Sequence, residues 1–85
     1  MISYIVCASI PTGVWHRRIK YIRAHSEPDI SQAKRILTNQ WDEDTSVIIR
    51  VFPIDSSTLD SQLPSPSEMW QEGLNEQELR EYLDA

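Results

Sequence analysis

The chain has 85 residues, of which 40% are hydrophobic and 25% charged, and its formal net charge at pH 7 is −5. This length allows one small domain with a modest core and little room for a deep catalytic cleft, and the composition excludes an intrinsically disordered chain. Cys7 is the only cysteine, which excludes an internal disulfide and predicts a reducing, cytoplasmic location.

Two strands are predicted at the start of the chain. Residues Ile2 to Ile10 alternate in a β-branched run, and Pro11 to Gly13 have the composition of a turn. The apolar start is too short to span a bilayer and lacks a basic leader, so we expect no membrane contact. The second strand runs from Trp15 to about Ala24, and its mixed faces predict an edge position.

A helix and a third strand follow. Ser26 is the expected N-cap and forms a capping-box pattern with Asp29. Apolar residues recur at helical spacing, namely Ile30, Ala33, Ile36, Leu37 and Trp41, and the helix is predicted to run to about Gln40. Ser46 to Phe52 is nearly continuous in β-branched residues, which predicts a central strand that stops at Pro53.

The second half of the chain becomes polar and acidic. A Ser- and Pro-rich loop is predicted over 54–67, followed by an acidic helical segment over 68–85. Ser67 is the expected cap of a first short helix, and Asn75 with Glu78 predicts a capping box for the last one. This segment either packs on the core or docks on a partner. Its candidate core contacts are Trp70, Leu79 and Leu83.

These elements predict a single α+β domain with a ββαβ core over residues 1–53. A crossover helix between the second and third strands makes those two strands parallel, and the hairpin makes the first strand antiparallel to the second. The simplest arrangement is a small three-stranded mixed sheet of order 2-1-3, with one packed helix and short C-terminal helices.

Charge is distributed unevenly along the chain. Residues 1–40 carry six basic and two acidic side chains, whereas residues 41–85 carry two basic and eleven acidic ones. Four of the eight basic residues lie between Trp15 and His25. Such asymmetry predicts either pairing within the fold or two surfaces for different partners.

The basic strand is one candidate binding surface. Cations interleaved with aromatic rings are what single-stranded nucleic acid requires, and the residues that would supply them are Trp15, Arg17, Arg18, Lys20 and Tyr21. The chain's pI of about 4.8 is unlike that of nucleic-acid-binding domains. The basic side chains could instead contact a protein or pair with the chain's own carboxylates.

No chemistry-bearing cluster is apparent. Cys7, His16 and His25 are isolated along the chain, so neither a metal site nor a cofactor is expected. Cys7 and His16 could approach each other across the hairpin, but no third group would orient the histidine. Gly13 and Gly73 are the only glycines, which excludes a glycine-rich phosphate loop. We therefore expect no enzymatic activity.

The segment KYIRAHSEPDISQAKRIL, followed by SVIIRVF, resembles a strand-helix-strand element of small phage-encoded inhibitor proteins of the anti-CRISPR type. The resemblance covers residues 20–52. The matching residues are Ile22, Ala24, Gln32, Ala33, Lys34, Arg35 and Ile36. It implies a compact inhibitor or accessory protein of a mobile element that acts through surface contacts and needs no cofactor. It also adds Lys34 and Arg35 as candidate contact residues.

The sequence thus predicts a non-enzymatic interaction protein, and the resemblance implies a phage or mobile-element modulator of a host nucleic-acid machine. The alternative is a small nucleic-acid-binding domain that uses the basic aromatic strand. A homodimer formed through a sheet edge is a further arrangement to consider. The candidate partner-binding residues are Arg17, Arg18, Lys20, Arg23, Lys34, Arg35, Trp70, Glu78 and Tyr82.

Overall fold

The computed structural model describes residues 2–11, 17–40 and 47–84, with the backbone alone at Arg17. Within these residues the strands are β1 (Ile2–Pro11), β2 (Arg17–Ala24) and β3 (Ile48–Asp55). The α-helices are α1 (Glu27–Asn39), α2 (Pro66–Glu72) and α3 (Glu76–Asp84), and a short 3₁₀ turn at Asp60–Gln62 precedes α2. The predicted α+β class is confirmed.

The sheet has the predicted order, β2-β1-β3. Both hydrogen-bonded pairs are antiparallel, and Cys7 of β1 lies opposite Tyr21 of β2 and Arg50 of β3. Strands β2 and β3 therefore run in the same direction on either side of β1, as the crossover helix requires. The predicted mixed sheet is therefore fully antiparallel in its hydrogen bonding among the described residues, because the two parallel strands, β2 and β3, are separated by β1.

Strand β1 is the centre of the fold because both of its faces are covered. All of its residues from Ser3 to Ile10 are buried. One face packs against α1 and α3, and its cluster includes Val6, Leu37 and Leu79. The opposite face packs against α2, where Ile5 and Cys7 contact the cluster around Met69. A 12.7 Å radius of gyration is that of a compact chain of this length.

Strand β3 differs from its prediction in two ways. It is an edge strand rather than a central one, and it continues through Pro53 to Asp55. On the side away from β1, Val51 exchanges two backbone hydrogen bonds with Leu74, of 2.9 and 2.8 Å. Backbone groups alternate along a strand, so Pro53 also turns its nitrogen outward and removes no bond to β1. The predicted start at Ser46 lies outside the described residues.

The helix starts differ from their predicted capping at α1, where the Ser26 side chain does not complete the expected capping box, and at α2, where the cap is a different serine. Ser26 is the N-cap of α1, but its side chain makes no capping hydrogen bond. Helix α2 begins earlier than predicted because Ser65, not Ser67, is its cap and accepts a 3.3 Å bond from the N–H of Glu68. Pro66 then occupies the first turn, which suits a residue without an N–H.

The last helix starts with the predicted capping box. The N–H of Glu78 donates to Asn75 Oδ1 at 2.8 Å, and the N–H of Asn75 donates to Glu78 Oε1 at 3.2 Å. The C-terminal segment packs on the core rather than extending away from it. Met69 of α2 is 1% exposed on one face of the sheet, and Leu79 of α3 is buried on the other. In the described residues, no helix is long and apolar enough to cross a membrane.

Candidate partner-binding surface

The outer edge of β2 is open in the part of the chain that the structure describes. Val51 directs its backbone groups toward Leu74, so its partner Val6 directs its own groups toward β2 and pairs with Ile22. By the alternation of an antiparallel ladder, the N–H and C=O groups of Ile19 and Tyr21 then point away from β1. No described residue hydrogen-bonds to these outward backbone groups.

The side chains of β2 divide between the two faces of the sheet. Arg18 and Lys20 lie opposite Ile10 and Ala8, on the α1 face, where Arg18 is exposed, whereas Lys20 is half-buried and has a polar or electrostatic contact of its own. Tyr21 lies opposite Cys7 on the α2 face and is 44% exposed. We call Arg18, Lys20, Tyr21 and the outward backbone of β2 the basic edge.

Arg23 belongs to the same strand but is engaged within the fold. Its guanidinium donates to the carbonyl oxygens of Thr58 at 2.8 Å and Ser56 at 3.0 Å, and to Asp60 Oδ1 at 3.1 Å. These bonds attach the loop after β3 to β2. Its Nε has no hydrogen-bond partner among the described residues. Since its donors are committed to the loop, we do not count Arg23 in the basic edge.

The two basic residues of α1 do not join the basic edge. Lys34 lines an open groove beside α3, together with Glu76 and Leu79, and the groove continues along Val47 and Ile49 at the start of β3. That side of α1 is opposite to β2, because β2 and β3 flank β1 on different sides. Arg35 is exposed and lies one residue, or about 100°, farther round the helix.

Ile36 is exposed, contrary to its predicted place in the apolar stripe. Its side chain is 51% exposed, whereas Ile30, Ala33 and Leu37 are buried. Ile36 lies about 160° round the helix from Lys34, so it is on the flank that faces β2. The apolar spacing of the sequence did not separate it from Leu37. An exposed apolar side chain therefore lies on the β2 side of α1.

The three candidate partner-binding residues of the acidic segment, Trp70, Glu78 and Tyr82, have different roles. Trp70 is bound to β3: its Nε1 donates to the Ile48 carbonyl at 3.3 Å, and its ring centroid lies 4.2 Å from Arg50 Cζ. Arg50 Nη1 also donates to the Trp70 carbonyl at 3.3 Å. Tyr82 is 39% exposed on α3, whereas Glu78 is exposed but occupied by its capping box.

The thiol of Cys7 is not arranged for catalysis. Cys7 is fully buried, and burial raises the pKa of its thiol to about 12. A nucleophilic cysteine needs the opposite, a lowered pKa and access to substrate. Its cross-strand neighbours are Tyr21 and Arg50, and His16 lies outside the described residues. No group of three metal-ligating side chains occurs among the residues that the structure describes.

The nucleic-acid set predicted from the sequence is described only in part. Trp15, His16 and the side chain of Arg17 lie outside the described residues. Of the remaining members, Arg18 and Lys20 lie on one face of β2 and Tyr21 on the other. The structure thus brings these three together at one strand edge, but not on one face.

Comparisons of the chain with family models, curated proteins and solved structures found no match.

Proposed function

We propose that this protein is a non-enzymatic interaction module that binds an anionic protein partner through the basic edge. One observation carries the proposal: the most basic strand of an acidic protein is also the strand whose outer edge has no described backbone partner. Exposed Arg18 and Tyr21 are residue types enriched at the centres of protein interfaces.

The resemblance of residues 20–52 to small phage-encoded inhibitors supports a more specific role. On that basis we propose that the partner belongs to a host nucleic-acid machine and that the protein modulates it in the cytoplasm. The acidic helix α3, with Tyr82 exposed, offers a second surface of opposite charge for the same assembly. Carboxylates on a small helix can imitate phosphates in a partner's groove.

The second candidate function is nucleic-acid binding by the same strand. Tyr21 and Arg18 favour it, because base stacking and phosphate contact need an exposed ring and an exposed cation. The eleven acidic side chains after residue 40 disfavour it, since they repel phosphate over distances comparable to this domain at low salt. The two candidates differ in what should compete for Arg18 and Lys20.

A paired charge reversal tests the proposal. The double variant Arg18→Glu/Lys20→Glu should lose cross-linked capture of its protein partner from a lysate of its native cells. The matched control, Arg35→Glu/Arg80→Glu, reverses two exposed charges away from β2 and should retain capture. Circular dichroism of each variant verifies folding.

Electrophoretic shift of labelled single- and double-stranded oligonucleotides, at low and moderate salt, tests the alternative. We expect no shift. A salt-sensitive shift that Arg18→Glu/Lys20→Glu abolishes would replace protein binding with nucleic-acid binding. Capture that survives this reversal would show that the basic edge is not the interface.

A further inference from the structure

We infer that the basic edge accepts an extended acidic segment of the partner as a fourth strand of the sheet. This inference rests on the proposed function and specifies its mode. In such strand addition, main-chain hydrogen bonds hold the incoming segment, and alternate side chains give specificity. The outward N–H and C=O groups of Ile19 and Tyr21 supply the required main-chain partners.

The two edge strands differ in whether their outward backbone groups can pair with a further strand. At β3, Leu74 occupies the outward groups of Val51, and Pro53 removes the next outward donor, so a further strand could not pair along it. Strand β2 spans eight residues, RRIKYIRA, and contains no proline. Small proteins normally protect their exposed edges, so an eight-residue edge with no backbone partner among the described residues is the place where an added strand fits.

Charge selects an acidic segment over a second copy of this chain. Two β2 strands side by side would bring Arg18 and Lys20 near their own copies, and like charges on neighbouring strands are destabilising. Glutamate or aspartate on the same face would instead face these cations. The same basic side chains thus attract an acidic strand and repel a second copy of β2.

The two faces of β2 also predict the pattern of the incoming segment. On the α1 face it meets the exposed guanidinium of Arg18, with half-buried Lys20 beside it, so acidic side chains belong there. On the α2 face it meets Ile19 and Tyr21, which favour apolar or β-branched side chains. Since side chains alternate along a strand, the expected segment alternates acidic and apolar residues.

The test uses fluorescein-labelled peptides of about eight residues, the length of β2. In the first peptide glutamate alternates with valine, and in the second lysine replaces glutamate. Two more peptides carry the glutamate sequence with backbone N-methylation at either the glutamates or the valines. Binding to the full chain is measured by fluorescence anisotropy, and hydrogen exchange of the Ile19 and Tyr21 amides is measured by NMR.

We expect the glutamate peptide to bind at least about tenfold more tightly than the lysine peptide. N-methylation should weaken binding about tenfold or more in one of the two methylated peptides, because only one edge of the added strand faces β2. Exchange of the Tyr21 amide should slow on binding, and Arg18→Glu/Lys20→Glu should lose the preference for glutamate.

Three results would overturn strand addition while leaving the proposed function standing. In the first, both methylated peptides bind as tightly as the unmethylated one. In the second, no peptide binds, although Arg18→Glu/Lys20→Glu still loses capture of the partner. In the third, the chain dimerises as its concentration rises, and the dimer protects the Tyr21 amide from exchange. An oligothymidylate that binds the same residues more tightly than the acidic peptide would overturn both the inference and the proposed function.

Discussion

At the scale of single residues, Arg23 joins β2 to the loop that follows β3. We predict that Arg23→Lys lowers the free energy of unfolding by about 1–3 kcal/mol. The planar guanidinium donates to two carbonyl oxygens and one carboxylate at the same time, and the single ammonium group of lysine cannot reach all three. Urea denaturation measures the loss, and amide exchange in residues 56–60 should accelerate.

Two control variants separate the parts of this contact. Asp60→Asn should cost under about 1 kcal/mol, because the Asp60 side chain is 84% exposed and its ion pair is screened by solvent. Arg18→Lys, at an exposed position of the same strand, should leave stability unchanged. Equal losses in Asp60→Asn and Arg23→Lys would assign the effect to the ion pair instead of the carbonyls.

Gly73, at the end of α2, is required for close packing rather than for an unusual backbone angle. Its φ is −67°, but a Cβ there would lie 2.9 Å from the Met69 carbonyl oxygen and 3.0 Å from Arg50 Cβ. We predict that Gly73→Ala lowers the free energy of unfolding by about 1–3 kcal/mol. Gln71→Ala, exposed on the same helix, should change it by under about 0.5 kcal/mol. Wild-type stability of Gly73→Ala in urea would contradict the prediction.

At the scale of elements, α2 and α3 each bury one side against the sheet, but Trp70 of α2 packs on β3 whereas Tyr82 of α3 lies on the exposed side of its helix. Trp70→Ala should therefore lower the free energy of unfolding by about 2–4 kcal/mol, since it removes packing, the bond to Ile48 and the stacking on Arg50. Tyr82→Ala should cost under about 1 kcal/mol. Thermal or urea unfolding measures both, and a large loss in Tyr82→Ala would place that ring in the core instead of the outer surface.

The order of the strands was predictable because the elements are short and local signals agree. The alternation of residues 2–10, the turn after Ile10 and the capped crossover helix together leave few topologies for three strands. The apolar run of β3 alone favoured a central strand, whereas the predicted order places it at the edge, where the structure has it. Its apolar side chains are explained by the covered faces of the sheet and by the pairing of Val51 with Leu74, a contact over more than twenty residues that leaves no periodic trace in the sequence.

The strand that carries the candidate site was predictable from its basic residues, but which individual side chains belong to the site was not. Clustering of basic residues located β2, yet a strand with mixed faces does not show which cations meet solvent. Arg23 is bound to carbonyls of a loop more than thirty residues away, and Lys34 faces α3. Trp70 is a residue type that is common at the centre of protein interfaces, but here its ring stacks on Arg50 of the same chain. Each of these assignments depends on tertiary contacts, which composition does not encode.

At the scale of the whole molecule, both faces of the sheet are covered, so we expect side chains of the central strand to reach solvent only when the whole domain unfolds. Cys7 of β1 is fully buried between β2 and β3 on the α2 face. Burial raises the pKa of its thiol from 9.0 to about 12. The unfolded chain therefore loses this proton from about pH 9 upward, whereas the folded chain keeps it to about pH 12.

The unfolded state binds fewer protons in this interval, so the free energy of unfolding must fall as pH rises through it. We predict a loss on the order of 1 kcal/mol from this group between pH 9 and pH 10. Cys7→Ala should be less stable at pH 7 because it loses buried volume, but it should lack this part of the alkaline decline. Urea denaturation of both chains at pH 7, 9 and 10 isolates the difference, because every other titrating group is shared. Parallel declines would show that the thiol reaches solvent without unfolding, and labelling by a thiol reagent faster than global unfolding would show the same.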